Sequence, residues 1–222
     1  GDPLHFDRLH SLESHQPMRQ AFTVLFVLLM GVVHGQLGTF QKIAPEGNRP
    51  WCVRAADLDG DGDIDIVAAF AIDGMFAWYA NDGTGTFTGP IMINADAQYA
   101  KFVVVADIDD DGDPDVVTAN GAPAVFSWHA NDGAGNFGPA QVIRSAGGGS
   151  YALVVADIDG DGDLDIASSA QVGGLHWHAN DGIGTSWTGN AVDTLSNIAD
   201  IELADLDGDG DLDMLLAASG TA

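Results

Sequence analysis

The chain has 222 residues, of which 46% are hydrophobic and 18% charged, so it is apolar enough to fold around a core. Its formal net charge is −26 and its seven Lys and Arg residues are scattered, which argues against a nucleic-acid partner. A single cysteine, Cys52, excludes a disulfide within the chain, so its stability must have other sources.

The N-terminal region has the features of an export signal. Residues 1–17 are polar and show no periodicity, and we expect an upstream or disordered segment there. From Met18 a short charged start leads into an apolar run over 21–33, which is too short to span a bilayer as a helix. Residues 18–35 are therefore predicted to be a signal peptide, and the protein to be secreted or held at the extracellular surface. A buried helix and an anchor are the alternatives.

Residues 36–222 are dominated by a repeat. A nine-residue segment with Asp at every odd position and Gly at the sixth begins at Asp57, Asp107, Asp157 and Asp205. The spacings between these starts are 50, 50 and 48 residues, and a fixed period of this length indicates a repeat architecture. We call each nine-residue segment an Asp loop.

One repeat unit, over residues 102–151, shows four short apolar runs separated by turns. The predicted strands cover 102–106, 116–119, 125–129 and 137–143. Gly138 and Pro139 favour an edge position for the last strand. Four such strands without helical periodicity form one blade of a β-propeller. We therefore predict an all-β fold, a propeller or partial propeller of four-stranded antiparallel blades.

Antiparallel strands place alternate turns on opposite faces of the disc. The Asp loops share one face with the Asn-Asp-Gly turns, at 81–83, 131–133 and 180–182. The opposite face carries the turns near 73–74, 121–123 and 173–174 and the linkers near 96–98, 146–150 and 196–197. The first face is repetitive, whereas the second, here called the variable face, differs from unit to unit. Partner contacts are therefore expected on the variable face.

The Asp loop matches the chemistry of calcium, which takes six to eight oxygen ligands. Carboxylates at alternate positions point inward together, position 7 offers its backbone carbonyl, and the glycine permits a sharp turn. Mg²⁺ favours a smaller octahedron, and Zn²⁺ favours Cys or His, which the loops lack. We predict up to four Ca²⁺ ions. The predicted metal-site residues are Asp57, Asp59, Asp61, Asp63, Asp65, Asp107, Asp109, Asp111, Asp113, Asp115, Asp157, Asp159, Asp161, Asp163, Asp165, Asp205, Asp207, Asp209, Asp211 and Asp213.

The EF-hand is the main competing interpretation of these loops. It needs a Glu at position 12 and flanking helices. That position holds Ala68, Thr118, Ser168 or Leu216, and the flanks are rich in Val and Ile, as in strands. The Asp loops also explain most of the acidity, since four Ca²⁺ would reduce the net charge to about −18.

The repeat units resemble FG-GAP repeats, also described as VCBS-type repeats, of the integrin α-subunit propeller class. The matching elements are the four Asp loops, the segments 88–90 and 137–139, and the Trp-x-x-Asn-Asp-Gly turns that begin at Trp78, Trp128 and Trp177. The resemblance covers roughly residues 38–219. It implies a propeller, usually of seven blades, with calcium loops on the face away from the main ligand site. Members include adhesion receptors, sugar-binding lectins and accessory domains of extracellular enzymes.

The chain departs from this family in blade count, because it holds three full periods, a leading strand and a fourth Asp loop. A closed ring needs about four to eight blades. We expect a fragment of a longer propeller, truncated at the C-terminus. The alternatives are four blades that close imperfectly, or chains that associate through open blade edges.

Aromatic residues also recur at the period of the repeat. Trp78, Trp128 and Trp177 recur on the same predicted strand, which favours packing between blades over a sugar platform. Trp187 takes the place of Phe87 and is expected in the core, whereas Trp51 is the candidate for an exposed ring.

No Ser-His-Asp, Cys-His or paired-Glu arrangement stands out, and His176 and His178 are interpreted as structural. The sequence thus predicts a non-enzymatic, secreted, calcium-binding module for adhesion, protein–protein interaction or self-assembly. A glycan-binding lectin and an accessory propeller of a larger extracellular enzyme are the alternatives. The expected partner is an extracellular protein, a glycan or a second copy, without nucleic acid or a stable membrane span.

Overall fold

The computed structural model describes residues 41–43, 49–195 and 197–219. The predicted upstream segment at 1–17 and signal peptide at 18–35 lie outside these ranges. Every element that the structure describes is a β-strand. No helix within these ranges is long and apolar enough to cross a membrane.

The strands form successive antiparallel sheets, one for each repeat. The first sheet contains β1 (Pro50–Ala56), β2 (Asp65–Phe70), β3 (Met75–Asn81) and β4 (Phe87–Asn94). The second contains β5 (Ala100–Ala106), β6 (Asp115–Asn120), β7 (Ala124–His129) and β8 (Gln141–Ala146). The third contains β9 (Ser150–Ala156), β10 (Asp165–Ala170), β11 (Gly174–Asn180) and β12 (Trp187–Asp193). The fourth unit contributes β13 (Ile198–Ala204) and β14 (Asp213–Ala218).

Each four-stranded sheet is a simple meander, because its strands pair in sequence order. The first strands of consecutive sheets contact one another, so β1, β5, β9 and β13 form the inner layer of the assembly. The fourth strands are the most exposed, as expected for outer edges. This arrangement confirms the predicted all-β fold and its blades as a partial propeller.

The fourth strand of the second unit differs from its predicted bounds of 137–143. β8 begins at Gln141, and Phe137 makes an isolated bridge with Asn131. Pro139 has no N–H to donate to a ladder, and the Gly138 amide donates instead to the Ala130 carbonyl at 2.7 Å. The strand therefore starts beyond the Gly-Pro pair.

The core lies in layers between neighbouring blades. Trp78 packs with residues of the first and second sheets, and Trp128 with residues of the second and third. Both indoles are almost fully buried, and a Cβ at Gly135 or Gly184 of the following blade would overlap them. The predicted packing role is confirmed for these two rings. Trp177, the third of the series, is half-buried.

Contacts between turns confirm the assignment of the two faces. On the loop face, Gly60 of the first Asp loop lies beside the Gly133 carbonyl of the second unit. On the variable face, Gly74 lies beside the Ala97 carbonyl, and Gly149 beside the Gly121 carbonyl. Each face is therefore built from turns of adjacent blades.

Candidate metal loops

Each Asp loop is shaped by its own first carboxylate. The two oxygens of Asp57 accept hydrogen bonds from the amides of Gly60 and Gly62, both at 2.9 Å. Gly62 has a φ of 93°, and a Cβ built on it would meet nothing within 4 Å. Its left-handed backbone, rather than a lack of space, therefore favours glycine at the sixth position. The first Asp of the third and fourth loops makes the same pair of bonds.

The last carboxylate of each of the first three loops accepts two backbone hydrogen bonds. Asp115 is fully buried, and one of its oxygens accepts a hydrogen bond from the Ile108 amide at 2.9 Å. The other oxygen accepts a hydrogen bond from the Asn131 amide at 2.7 Å. Asp65 and Asp165 make the same two contacts in their own units. This aspartate therefore fastens its loop to the Asn-Asp-Gly turn of the same blade.

The asparagine of that turn connects neighbouring loops. The side-chain amide of Asn131 donates to the Pro114 carbonyl of its own unit at 3.1 Å and to the Leu58 carbonyl of the first loop at 2.8 Å. Asn180 repeats this in the third unit, donating to Leu164 at 3.2 Å and to Ile108 of the second loop at 2.8 Å. Consecutive Asp loops are thus linked through buried amides.

The structure brings carboxylates of each loop close enough to share one ion. In every loop, oxygens from positions 1 and 3 and one further position lie within 4.8 Å of one another. The third member is position 5 in the first loop and position 9 in the other three. The groups are Asp57, Asp59 and Asp61; Asp107, Asp109 and Asp115; Asp157, Asp159 and Asp165; and Asp205, Asp207 and Asp213.

The seventh position behaves differently from the rest of the loop. The carboxylates of Asp63, Asp113 and Asp163 lie against a glycine of the Asn-Asp-Gly turn, where a Cβ would overlap them. These side chains belong to none of the groups described above. The arrangement agrees with a backbone rather than a side-chain contribution from position 7. The full set of twenty ligands stays a prediction.

The donor set fits calcium, because it consists of carboxylate and carbonyl oxygens. One oxygen of Asp109, Oδ1, is buried and has no hydrogen-bond partner among the described residues. A buried unpaired carboxylate oxygen is costly, and a cation between Asp107, Asp109 and Asp115 would supply its partner. Calcium bound there would hold the loop together and neutralise its charge.

The carboxyl pKa values show the electrostatic strain that such an ion would relieve. Burial raises the pKa of Asp115 to about 6, against the lowering effect of its two backbone hydrogen bonds. Burial likewise raises the pKa of Asp65 and Asp165, and the neighbouring aspartates add to the shift. The pKa of Asp109 is also raised, by burial and by the charges of Asp111 and Asp107. A proton and a metal ion therefore compete for these groups.

This competition predicts a pH-dependent calcium affinity. The ion needs the ionised carboxylate, and an Asp115 pKa of about 6 leaves roughly a tenth of this group ionised at pH 5. Calcium should bind the second loop about tenfold more weakly at pH 5 than at pH 7, as measured by calorimetric titration at both pH values. The Asp115→Asn variant is the control, since it should lose this site and its pH dependence. Equal affinities at both pH values would contradict the prediction.

His176 and His178 both lie on β11. The rings of His176 and His178 stack with centroids 6.0 Å apart. Burial, Arg144 and His176 together lower the pKa of His178 to about 4, so this imidazole is neutral at pH 7. No histidine belongs to a metal-ligand group in the part of the chain that the structure describes.

The repeated, carboxylate-lined loops on antiparallel blades define a propeller-type repeat protein. The FG-GAP-like repeat family matches residues 57–118 and 107–168, which together span half of the chain. The chain belongs to this family. The comparison with curated proteins gives no match.

A solved lectin structure shows the same fold, and two further structures align with lower scores. A lectin of Agrocybe aegerita, described as specifically recognising non-reducing terminal N-acetylglucosamine, aligns with a TM-score of 0.56 at 22% identity. The alignment covers 81% of this chain and 51% of the lectin, so the chain spans about half the lectin's length. The Vibrio cholerae biofilm matrix protein Bap1 aligns at 0.49 and 19% identity, covering 76% of this chain and 28% of Bap1. An endo-arabinase of Bacteroides thetaiotaomicron aligns at 0.46 and 13%, covering 76% and 74%.

The linking role of Asn131 and Asn180 was not predicted from the sequence. These two residues and Asn81, which holds the same place in the first unit, follow the last aspartate of their own loop by 16, 15 and 16 residues, respectively. This near-constant spacing, together with the repeated Asn-Asp-Gly turn, was the available signal. This spacing identifies a repeated turn. The hydrogen bonds from Asn131 and Asn180 to the preceding loop depend on how neighbouring sheets lie side by side, which the spacing does not show.

Proposed function

We propose that this protein is a secreted, non-enzymatic repeat module in which calcium is structural and the variable face binds an extracellular partner. The observation that carries the proposal is the equivalence of the four loops, each with a carboxylate group at the same place in its unit. Four equivalent carboxylate groups are typical of structural ion sites, whereas a catalytic centre needs one specialised site. The predicted signal segment at 18–35 supports secretion.

Calcium at these loops would act on the contacts between blades. The second loop receives hydrogen bonds from Asn180, and the first loop from Asn131. An ion that orders one loop therefore also orders the carbonyl that accepts the hydrogen bond from the next blade. Extracellular calcium modules bind with Kd on the order of 10⁻⁴–10⁻³ M, which suits an environment with millimolar calcium.

The same geometry supports separate places for the ions and for a partner. The Asp loops lie on one face, and the turns that vary between units lie on the other. The variable face carries exposed aromatic rings, Trp51 and Tyr99. Exposed rings favour a glycan as the second candidate partner beside a protein, because they offer flat apolar surfaces to a sugar.

Calcium removal tests the structural role. At 1 mM Ca²⁺, each occupied site should add about 0.4–1.4 kcal/mol to the free energy of unfolding for the Kd range above. We expect up to four ions per chain by atomic emission after equilibrium dialysis against 1 mM Ca²⁺, and a melting temperature that falls when a chelator is added. Mg²⁺ at the same concentration is the control ion and should stabilise less. A chain that binds no calcium and melts at the same temperature in chelator would overturn the proposal.

A further inference from the structure

The inner strand of every unit carries a β-bulge at the same place. In β1, Pro50 pairs with Phe70 and Cys52 with Ala69, so Trp51 has no partner across the ladder. The corresponding irregularities in β5, β9 and β13 leave one residue each unpaired. These are Lys101, Tyr151 and Ala199. A bulge re-aims a side chain out of the regular alternation of a strand, so four equivalent positions are freed from the ladder.

The bulges lie on the variable face. Each is opposite the last residues of the second strand, where the chain enters the turns near 71–74 and 121–123. Neighbouring inner strands contact one another, which brings the bulged side chains together. Lys101 lies between the aromatic residues of the blades on either side, with its Nζ 5.6 Å from the centre of the Trp51 ring and 4.9 Å from that of Tyr151.

Lys101 is a half-buried cation in a chain that has only seven Lys and Arg residues and a net charge of −26. Its Nζ also lies 5.2 Å from the Phe102 ring, and it donates a hydrogen bond to the Ser150 carbonyl. Burial lowers the pKa of this half-buried amine. Within the described ranges no carboxylate lies within ion-pair distance of it. An ammonium group has three N–H donors, so two remain for a ligand.

Lys101 also lines a cavity of about 250 Å³. It is lined by Trp51, Ala71, Tyr99, Lys101, Gly121 and Ala122. The Trp51 and Tyr99 side chains are 57% and 61% exposed, so both rings are available to a ligand. Tyr99 has a φ of 57°, and the Gly121 amide donates to its carbonyl at 2.6 Å. The Tyr99 backbone is thus held in an uncommon conformation at the rim of the cavity.

We propose that this cavity binds one acidic sugar residue, such as a uronic acid, with its carboxylate on the Lys101 amine and its ring against Trp51 or Tyr99. Aromatic walls with one convergent charged group are typical of small-ligand sites. Its volume of about 250 Å³ is close to the lower end of the roughly 300–1,000 Å³ range of small-ligand pockets, which favours a single sugar residue over a protein segment. The proposal rests on partner binding at the variable face but not on the calcium loops.

Because the chain itself is strongly acidic, a preference for an acidic sugar over a neutral one would be informative. A net charge of −26 repels anions at long range, so a neutral sugar would be the easier ligand without Lys101. At about 0.15 M salt the screening length is about 8 Å, and the local ammonium group then dominates. A preference for the acid over its neutral counterpart therefore reports on this one amine.

The test compares glucuronate with glucose, which differ at the carboxylate. We expect the calcium-loaded full chain to bind glucuronate at least tenfold more tightly than glucose in calorimetric titrations at 0.15 M NaCl. Lys101→Met should reduce the affinity for glucuronate to the level of glucose, and Trp51→Ala should weaken both sugars. Arg54→Met is the matched control, because it removes an exposed cation from the same strand as Trp51 and should change neither affinity.

Several outcomes would overturn the proposal. These are equal affinities for the two sugars, no binding of either, or unchanged glucuronate binding by a Lys101→Met variant that melts like the parent chain. Preference for N-acetylglucosamine over glucuronate would show a neutral-sugar site and also overturn it. Melting with and without calcium on the same samples separates this proposal from the calcium role. Sugar binding without calcium stabilisation would contradict the calcium role alone, and the reverse result would contradict the pocket alone.

Discussion

Replacing Trp128 with alanine is expected to lower the free energy of unfolding by about 3–5 kcal/mol, the range for large aromatic residues removed from a core. The indole is 1% exposed and lies between the second and third blades, among Ile108, Val117 and Ile166. Its Nε1 donates a hydrogen bond to the Gly184 carbonyl at 3.1 Å. The substitution therefore removes both the apolar filling of the inter-blade layer and one bond across it.

The matched control for this variant is Trp177→Ala. Trp177 holds the equivalent place in the third unit but is half-buried, so its loss should cost less than half as much. Both variants should be compared by urea unfolding in excess calcium, with the slope of the transition checked for a change in the unfolded state. Trp128→Phe separates the ring from its N–H and should cost about 1 kcal/mol for the lost bond, plus any cavity. Equal losses at Trp128 and Trp177 would show that packing between blades is not the cause.

The tryptophans show how far the sequence could predict the fold. Their recurrence with the Asp loops gave the period, the four-stranded unit and burial between blades, and the structure confirms these for Trp78 and Trp128. Periodicity could do this because each repeat must bury the same face against its neighbour. It could not predict where β8 begins, because that depends on how Gly138 and Pro139 leave the ladder.

The candidate sites were also predictable from the sequence only in part. Alternating carboxylates around a glycine predicted shared ion sites, and the structure gathers a group of them in each loop. The outward contact of the position-7 carboxylate depends on a glycine about twenty residues later, as for Asp63 and Gly83, so local spacing could not predict it. The bulge at Lys101 could not be predicted from the sequence either. A bulge is a property of pairing between two strands, and the inner strand reads as a regular apolar run.

Asn131→Ala is expected to destabilise the chain by about 2–3 kcal/mol and to weaken the coupling between the first two blades. The Asn131 side chain is 3% exposed, and its amide donates to the carbonyls of Leu58 and Pro114. Alanine would leave both carbonyls without this donor in a buried place, which costs more than the loss of an exposed hydrogen bond. Because Leu58 belongs to the first Asp loop, calcium binding to that loop should also weaken.

Asn81→Ala provides the matched control for that loss. Asn81 occupies the same turn position, but the bonds of its half-buried side chain stay within the first unit, to Ile64 and from Gly85. Its removal should cost only about 1 kcal/mol. Urea unfolding in calcium and in chelator measures both effects, and a larger calcium-dependent loss for Asn131→Ala is expected. Similar losses for the two variants would mean that the amide from the next blade does not support the loop. In that case the Asp loops would be stabilised blade by blade, with each ion acting on its own hairpin.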